Sequence, residues 1–342
     1  MLSLLSSMGE RLVQRRPHLI TDLRSAYRTG LYGLGGALLR GKQQPPTAAQ
    51  RQVLWELWRE AYTLQRDMLR RPGMAQVLHQ VEKLDHKDFP LFALSLPLDL
   101  WRASRKRRGA TRRVRPPDSF PYPAYYLHDF HNQANGGLSQ RAAATYEWQI
   151  RLLFAGTNRV MRQAVIDQLP CDAQQSLLDV GCGTAAWLPQ ARLQGRMQQV
   201  CGIDLSPTYL QHARRHHDPR VTFVQANAET YGAEHPETYD TVVCIWLYHE
   251  LPAQAQVRVT QSIADCLKPG GRLIFMEAIQ ACDRPNLDIH FINERFAQDF
   301  DEPHYAAYQA LNLPEHFAAA GLKVLKTQQV FMSKLMVLHK DH

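Results

Sequence analysis

From residue 176 onward, short apolar runs alternate with longer stretches in which apolar residues recur at helical spacing. Leu177–Val180, Gln199–Asp204, Val221–Gln225, Thr241–Trp246 and Arg272–Glu277 are five such runs, each of strand length. Strands that alternate with helices predict a parallel sheet with helices on both faces. Lys323–Gln328 and Phe331–His339 follow each other too closely for a helical crossover. They predict a closing antiparallel pair.

The first 88 residues read as helical instead. Over 50–70, Leu54, Leu57, Trp58, Ala61 and Met68 keep close to a 3.6-residue period. Pro72-Gly73 ends that run, and Met74, Val77, Leu78, Val81 and Leu84 begin another. Gly30, Gly33, Gly35 and Gly36 interrupt the earlier apolar segment. Four prolines between Pro116 and Pro123 exclude regular structure after a basic run, and a further helix starts near residue 140 behind Ser139. The chain therefore divides into a helical region 1–101, a basic, proline-rich linker 102–123, and an α/β domain 124–342 whose first part, 124–150, serves as a lid. No internal repeat is visible.

Composition changes this picture little. A chain of 342 residues with 45% apolar content can bury an ample core without disulfides or metal. Six scattered cysteines, with no C-x-x-C pair, fit a reducing compartment. No run approaches the roughly 18 apolar residues that cross a bilayer. The opening Met1-Leu2-Ser3-Leu4-Leu5 lacks the basic start of a signal peptide. The expectation is a cytoplasmic protein. Charge is the exception. Residues 1–120 hold 22 Lys and Arg against 10 acidic residues, the remainder 18 against 22, and eight basic residues fall between Arg102 and Arg115. That local excess could meet nucleic-acid phosphates or an anionic membrane surface. It lacks the interleaved aromatics of a single-strand platform, and its plain alternative is a solvated loop.

The chemistry concentrates in Leu177-Leu178-Asp179-Val180-Gly181-Cys182-Gly183-Thr184-Ala185-Ala186, an apolar strand leading into a glycine turn. Glycines let the backbone bend sharply and let a ligand lie against bare peptide. A helix opened by that turn would supply unpaired N–H groups. Asp204, 21 residues beyond Gly183 at the end of the next strand, can accept both hydroxyls of a ribose. Gly181-x-Gly183-x-x-Ala186 fits a dinucleotide fingerprint as well as a turn for S-adenosylmethionine (SAM). Asp179 separates the two: its charge would repel a pyrophosphate and suits a ligand with sulfonium and ammonium groups.

With Asp179 included, the segment resembles motif I, D/E-x-G-x-G, of class I SAM-dependent methyltransferases. Further landmarks of that family follow in order: Phe223-Val224-Gln225-Ala226-Asn227-Ala228-Glu229, Tyr239-Asp240-Thr241-Val242-Val243-Cys244, and the turn Leu267-Lys268-Pro269-Gly270-Gly271-Arg272-Leu273. The resemblance covers about residues 140–340 and implies a Rossmann-like doubly wound sheet. Trp246-Leu247-Tyr248-His249-Glu250-Leu251-Pro252 is similar to a stretch of the ubiquinone/menaquinone-biosynthesis branch. Carried over by position, Asp179 and Gly181 would hold the methionine end of SAM, with Gly183 beside them. Asp204 would take the ribose, Asn227 and Ala228 the adenine edge, and Trp246 would complete the cofactor contacts. Asn227 stands where the family usually has Asp; its amide oxygen can still accept from the adenine amino group.

On the acceptor side, His249 would stand at the C-terminal edge of the sheet as a base or orienting donor, unless it packs the turn. Glu250 could share that role. The stretch from Tyr125 to Ser139 is dense in aromatic, histidine and amide groups, with Gly136-Gly137 as a break. Tyr125, His128, His131 and Tyr146 are its candidate contacts, and His131 joins His249 as a candidate catalytic residue. Neither His128-x-x-His131 nor the group His212, His216 and His217 has a matching Cys or carboxylate cluster, so no metal site is expected. The reading is a SAM-dependent methyltransferase with a small, lipophilic acceptor in a pocket walled by 125–150 and 285–312. The alternatives are an RNA or protein methyltransferase docking through the basic N-terminal half, and a non-catalytic SAM-binding module.

Overall fold

A computed structural model describes residues 46–95, 113–128, 131, 135–154, 156–171, 175–196, 199–216, 218 and 220–341. The expectations for residues 1–45, and for most of the basic run Arg102–Arg115, lie outside the described residues.

Seven strands form one sheet: β1 (Ser176–Val180), β2 (Gln199–Asp204), β3 (Val221–Gln225), β4 (Tyr239–Ile245), β5 (Leu267–Ala278), β6 (Leu322–Val330) and β7 (Ser333–Lys340). Their order is β3-β2-β1-β4-β5-β7-β6. The first five run parallel, and β7 is antiparallel to both β5 and β6. This is the Rossmann-like sheet with its closing antiparallel pair. β1 lies inside the sheet, between β2 and β4, where helices cover both faces, so Leu177, Leu178 and Val180 are all buried rather than alternating in and out. The chain reverses direction of winding between β1 and β4, which opens a crevice at their C-terminal ends.

Helices α1 (Ala48–Leu69), α2 (Met74–Asp85), α3 (Gln140–Leu153), α4 (Asn158–Ile166), α5 (Leu188–Leu193), α6 (Pro207–Ala213), α7 (Tyr231–Glu234), α8 (Ala253–Cys266), α9 (His290–Phe300), α10 (Tyr305–Gln309) and α11 (Leu313–Ala318) surround it. Thr47 and Gln50 form a reciprocal capping box at the start of α1, and Ser139 caps α3 by accepting from Ala142 N–H at 3.0 Å. Leu57, Ala61, Met68 and Leu78 from α1 and α2 share one apolar cluster with Met161, Val165 and Ile166 of α4 and with Leu177 and Ile274 of the sheet. Packing therefore runs across the division expected at 102–123. The opposite face is filled from α8 and α11, with Val259, Ile263 and Phe317 against Leu178, Val242 and Phe275.

Three local expectations are corrected. The glycine turn after β1 does not open a helix directly: residues 181–187 form irregular turns and α5 begins only at Leu188, because Ala185 takes a left-handed φ of 52°. β4 ends at Ile245, one residue early, since Trp246 has φ 55° and turns its indole inward. The Leu267–Gly271 turn belongs to β5, as a bulge between the pairs Tyr239↔Leu267 and Thr241↔Arg272. Asp240 anchors that bulge, accepting from Lys268 Nζ at 2.9 Å and from Ser176 N–H at 2.9 Å.

Two ion pairs tie distant segments together. Arg284 meets Glu60 of α1 in a bidentate pair at 2.6 and 2.7 Å. Inside the fold, Arg162 of α4 binds Glu147 of α3 at 2.6 and 2.8 Å, both residues being buried. Burial alone would raise the Glu147 pKa, but the Arg162 guanidinium outweighs it and holds the carboxyl at about 2. Removing one member of such a pair leaves an uncompensated buried charge. Arg162→Met is expected to cost about 3–5 kcal/mol of stability in urea unfolding. A loss below about 1 kcal/mol, the range of exposed pairs, would show that the pair does not hold α3 on α4.

Candidate functional site

The crevice at the strand ends is an open cavity with about 880 Å³ of space, counting its mouth. Each of the first four strands contributes to its floor through the residues that follow it. Gly181 and Gly183 come from β1, Asp204 and Leu205 from β2, Asn227 and Ala228 from β3, and Trp246, Leu247 and Glu250 from β4. Tyr125, Tyr126, His131, Gly137 and Tyr146 close it from the segment before the sheet, and Tyr209 of α6 completes that wall.

The glycines are required by geometry. Gly181 has φ 66°, and a Cβ there would stand 3.1 Å from the Leu247 side chain. Gly183, at φ 53°, donates its N–H to Asp204 Oδ2 at 2.8 Å. Asp204 Oδ1 accepts from Ser206 N–H, also at 2.8 Å. An ionised carboxylate offers about four lone-pair sites, so these two bonds leave capacity for two more donors on the cavity side. Burial raises the Asp204 pKa to about 6, and the two backbone N–H bonds oppose that rise. Asn227 uses Oδ1 in a local turn, accepting from Glu229 N–H at 3.0 Å.

The described residues of 113–139 lie over the ends of three strands. Gln225 Nε2 donates to Tyr122 Oη at 2.9 Å, and Tyr125 Oη donates to Glu229 Oε1 at 2.7 Å. Ser206 Oγ and Thr208 Oγ1 both donate to Gly137 C=O, while Ser206 Oγ also caps α6. His131 is the clasp. Its N–H donates to Phe300 C=O at 3.0 Å, Nε2 meets Glu250 Oε1 at 2.8 Å, and Nδ1 stands 2.7 Å from Glu302 Oε1. Burial disfavours its charge, but the Glu302 and Glu250 carboxylates prevail and push its pKa up to about 10. At neutral pH His131 is an imidazolium with a carboxylate at each ring nitrogen. It has no lone pair with which to act as a base, which corrects its expected role.

The other singled-out residues separate. Asp179 is 2% exposed and lies beneath the turn, where Trp187 Nε1 donates to Oδ2 at 2.8 Å; burial raises its pKa to about 7. It does not line the cavity. Trp246 does, but its indole stacks on Phe154 at 5.2 Å, lies 5.4 Å from the Arg162 guanidinium and donates to Ser333 Oγ. What it offers the cavity is a strand end. His249 is buried behind the site, its Nδ1 2.7 Å from Glu277 Oε1 and its ring near Phe296 and Tyr305. Burial opposes its charge, yet Glu277 raises its pKa to about 9. His249 is absent from the cavity wall, and its arrangement is that of a packed ion pair. His128 bonds Tyr125 C=O through Nδ1 and also stays off the wall. Nor does residue range 285–312 line the cavity; it reaches the wall through Glu302 and Phe300, which hold His131, and through His304, whose ring meets Tyr125 edge-on at 6.2 Å. Among the described residues no cluster of histidine, cysteine and carboxylates could hold a metal, and no helix is long and apolar enough to cross a membrane.

Sequence patterning missed Tyr126, Tyr209, Leu247 and Glu302. Tyr126 sits inside the aromatic stretch already noted, and Tyr209 follows Ser206-Pro207 at the start of α6. Glu302 is 171 residues from its partner His131, and no local signal marks it.

Comparison with known proteins adds the following. Residues 177–271 match the sequence profile of the family described as methyltransferase domain. The ubiquinone biosynthesis O-methyltransferase of Saccharophagus degradans is 32% identical over 118 residues, covering 34% of this chain and 48% of that protein. The protein of the same name in Aliivibrio fischeri is 35% identical over 104 residues, 30% of this chain and 43% of the relative. The chain thus spans less than half the length of these curated relatives. An O-methyltransferase family protein of Burkholderia thailandensis has a solved structure with a TM-score of 0.47 at 18% identity, covering 59% of this chain and 60% of that one.

The clasp has a pH signature. His131 binds its proton more tightly when folded than a free imidazole, whose pKa is near 6.5. Its stabilisation is therefore complete below about pH 6.5 and is lost as the pH rises through about 10. The difference in unfolding free energy between the native chain and His131→Gln should shrink across that window. A difference that does not change with pH would mean His131 is not held as an imidazolium.

Proposed function

We propose that this chain, whose residues 177–271 match a methyltransferase domain, is a SAM-dependent methyltransferase acting on a small lipophilic acceptor that bears a hydroxyl group. The observation that carries the reading is the charge of the cavity wall. Among the described residues Asp204 and Glu250 line it and no lysine or arginine does, and its imidazolium, His131, already faces two carboxylates. A dinucleotide would bring a pyrophosphate into that field, where the described residues offer it no free cation. Since α5 starts only at Leu188, it would lack a helix N-terminus at the glycine turn as well. A cationic ligand suits the same wall.

S-adenosylmethionine supplies a methyl carbon already activated by sulfonium, so the protein's work is alignment, with a base only where the acceptor must lose a proton. Gly181 and Gly183 let the ligand approach bare backbone. Asp204, with its two remaining acceptor sites, takes the ribose hydroxyls. Asn227 and Ala228 stand on the same wall beyond Asp204, where the adenine edge would lie. Asp179 acts from below, through Trp187 and the turn it braces, as a positioning residue rather than a contact. Trp246 likewise holds the shape of the floor.

The acceptor side is apolar around one carboxylate. Ile245, Leu247, Leu251 and Val259 surround Glu250, and Tyr125, Tyr126 and Tyr146 shield the cavity from solvent. A small lipophilic molecule fits that lining better than a polymer. The names of the curated relatives, O-methyltransferases of ubiquinone biosynthesis, support oxygen as the methylated atom. Glu250 engages His131 through Oε1 and leaves Oε2 outside that bond, so it can orient the acceptor hydroxyl or take its proton.

Two substitutions test these roles separately. Asp204→Ala should abolish SAM binding in calorimetry while the chain still unfolds cooperatively; unchanged affinity would remove Asp204 from the ribose. Glu250→Gln should leave SAM affinity within about threefold and lower turnover of label from SAM by about 10²-fold or more, the usual worth of a positioned acid–base group. Undiminished turnover would exclude Glu250 from the acceptor's chemistry.

A further inference from the structure

After α2 the chain forms a helical stretch over 89–95 that lies on the outer side of α3. The rings of Phe89 and Phe92 rest on Trp148 of α3 at 4.7 and 5.9 Å, and Arg141 Nη2 donates to Ser95 C=O at 3.3 Å. Phe92 and Ser95 are the buried residues of this stretch. Every other one, from Phe89 through Pro90, Leu91 and Ala93 to Leu94, is exposed and apolar. Leu94, at 82%, is the most exposed large apolar side chain among the described residues, with Phe89 at 46% and Leu91 at 41% beside it. Single exposed apolar residues are ordinary, but a helical stretch that shows solvent nothing else marks an interaction surface.

The surroundings of this face are basic. Lys87 is exposed just before it, and the exposed Arg215, just beyond α6, reaches Asp88 at 3.5 Å. Beyond Ser95 the sequence of residues 96–112 carries six lysines and arginines against one acid, Asp99. The exposed Arg113 and Arg115 follow. An apolar protein partner would meet the leucines and leave the cations unanswered. A nucleic acid would meet the cations, but the basic run interleaves no ring on which a base could stack, and Leu91 and Leu94 would gain nothing. An anionic bilayer answers both, since its interface takes apolar side chains while its headgroups face lysine and arginine.

We propose that the 89–94 face docks this chain on an anionic phospholipid bilayer. Leu94, Leu91 and Phe89 enter the interface, and Lys87 and Arg215 stay at the level of the headgroups. The attachment is peripheral, because no described helix is long and apolar enough to cross. The face backs onto α3, whose Tyr146 lines the larger cavity. Docking would therefore bring that cavity close to the phase in which a lipophilic acceptor dissolves, and this consequence alone rests on the methyltransferase reading.

Flotation of the full chain with lipid vesicles tests the docking without cofactor or acceptor, so its outcome is separate from that of the methyl-transfer assays. Vesicles of equal phosphatidylcholine and phosphatidylglycerol should bind the chain about tenfold or more tightly than pure phosphatidylcholine, and added salt should weaken that binding. The double variant Leu91→Ser/Leu94→Ser changes only exposed positions and should unfold as cooperatively as the native chain. It should bind the anionic vesicles about tenfold or more weakly, having lost two side chains that gain by leaving water. No binding to anionic vesicles, equal binding to neutral ones, or a folded double variant that binds like the native chain overturns the proposal. So does a dimer in sedimentation that the double variant abolishes while vesicles bind neither chain. Retention of a single-stranded oligonucleotide in place of vesicles overturns it as well.

Discussion

The site depends on one carboxylate. Asp204 ends β2 and takes the N–H of Gly183 on one side and of Ser206 on the other. The first bond fixes the glycine turn over β1, and the second fixes the entry to α6. From α6, Ser206 and Thr208 hold Gly137 and with it the segment that closes the cavity. Without this side chain the loops after β1 and β2 would have no shared reference point. The arrangement stores a demand as well. The carboxylate is half-buried and its pKa is raised to about 6, since two N–H bonds do not replace full hydration. Further donors at its open lone pairs would complete that solvation, and the ribose hydroxyls of the proposed cofactor would supply them.

A similar logic governs the opposite wall. His131 brings a positive charge into a buried place, and two carboxylates make that tolerable. They come from the turn after β4 and from the end of α9, so one imidazolium joins three segments remote in sequence. Glu250 serves both structure and site: Oε1 holds the clasp, while the residue remains on the cavity wall. A histidine free to titrate near neutrality would make a better base and a weaker fastening. Here the fastening has won.

Much of this was legible in the sequence because its signals are local. Leu177–Val180 and the two runs near the C-terminus needed only strand length and the spacing between them. Asp204 needed only its distance from Gly183. The legible errors share a cause. His249 stands where a base should, at a strand end, but whether a histidine faces a cavity or a buried glutamate depends on Glu277, 28 residues away on β5. Asp179 is conspicuous by its place before the glycines, yet its partner is the indole of Trp187 rather than the cavity. Trp246 reads as a contact by position and proves to be a bracket by orientation, because a single left-handed φ swings its ring inward. Patterning places residues on elements. It does not tell which way a side chain at the end of one will turn.

The N-terminal helices present the same limit at larger scale. Their amphipathic period was plain, and a basic, proline-rich stretch after them suggested a boundary. What periodicity cannot supply is the identity of the surface that the apolar stripe covers. In the fold that surface is α4 and the sheet, through the cluster that Leu57 and Met68 share with Met161 and Leu177. The Glu60–Arg284 pair fastens α1 again from the far end of the sequence. α4 is the pivot, since all nine of its residues are buried. One side of it meets α1 and α2, and its Arg162 meets both Glu147 and the ring of Trp246. A change in how the N-terminal helices sit on α4 is thereby a change in what supports the floor of the crevice. These helices are better understood as the outer layer of the site than as a separate module carried beside it.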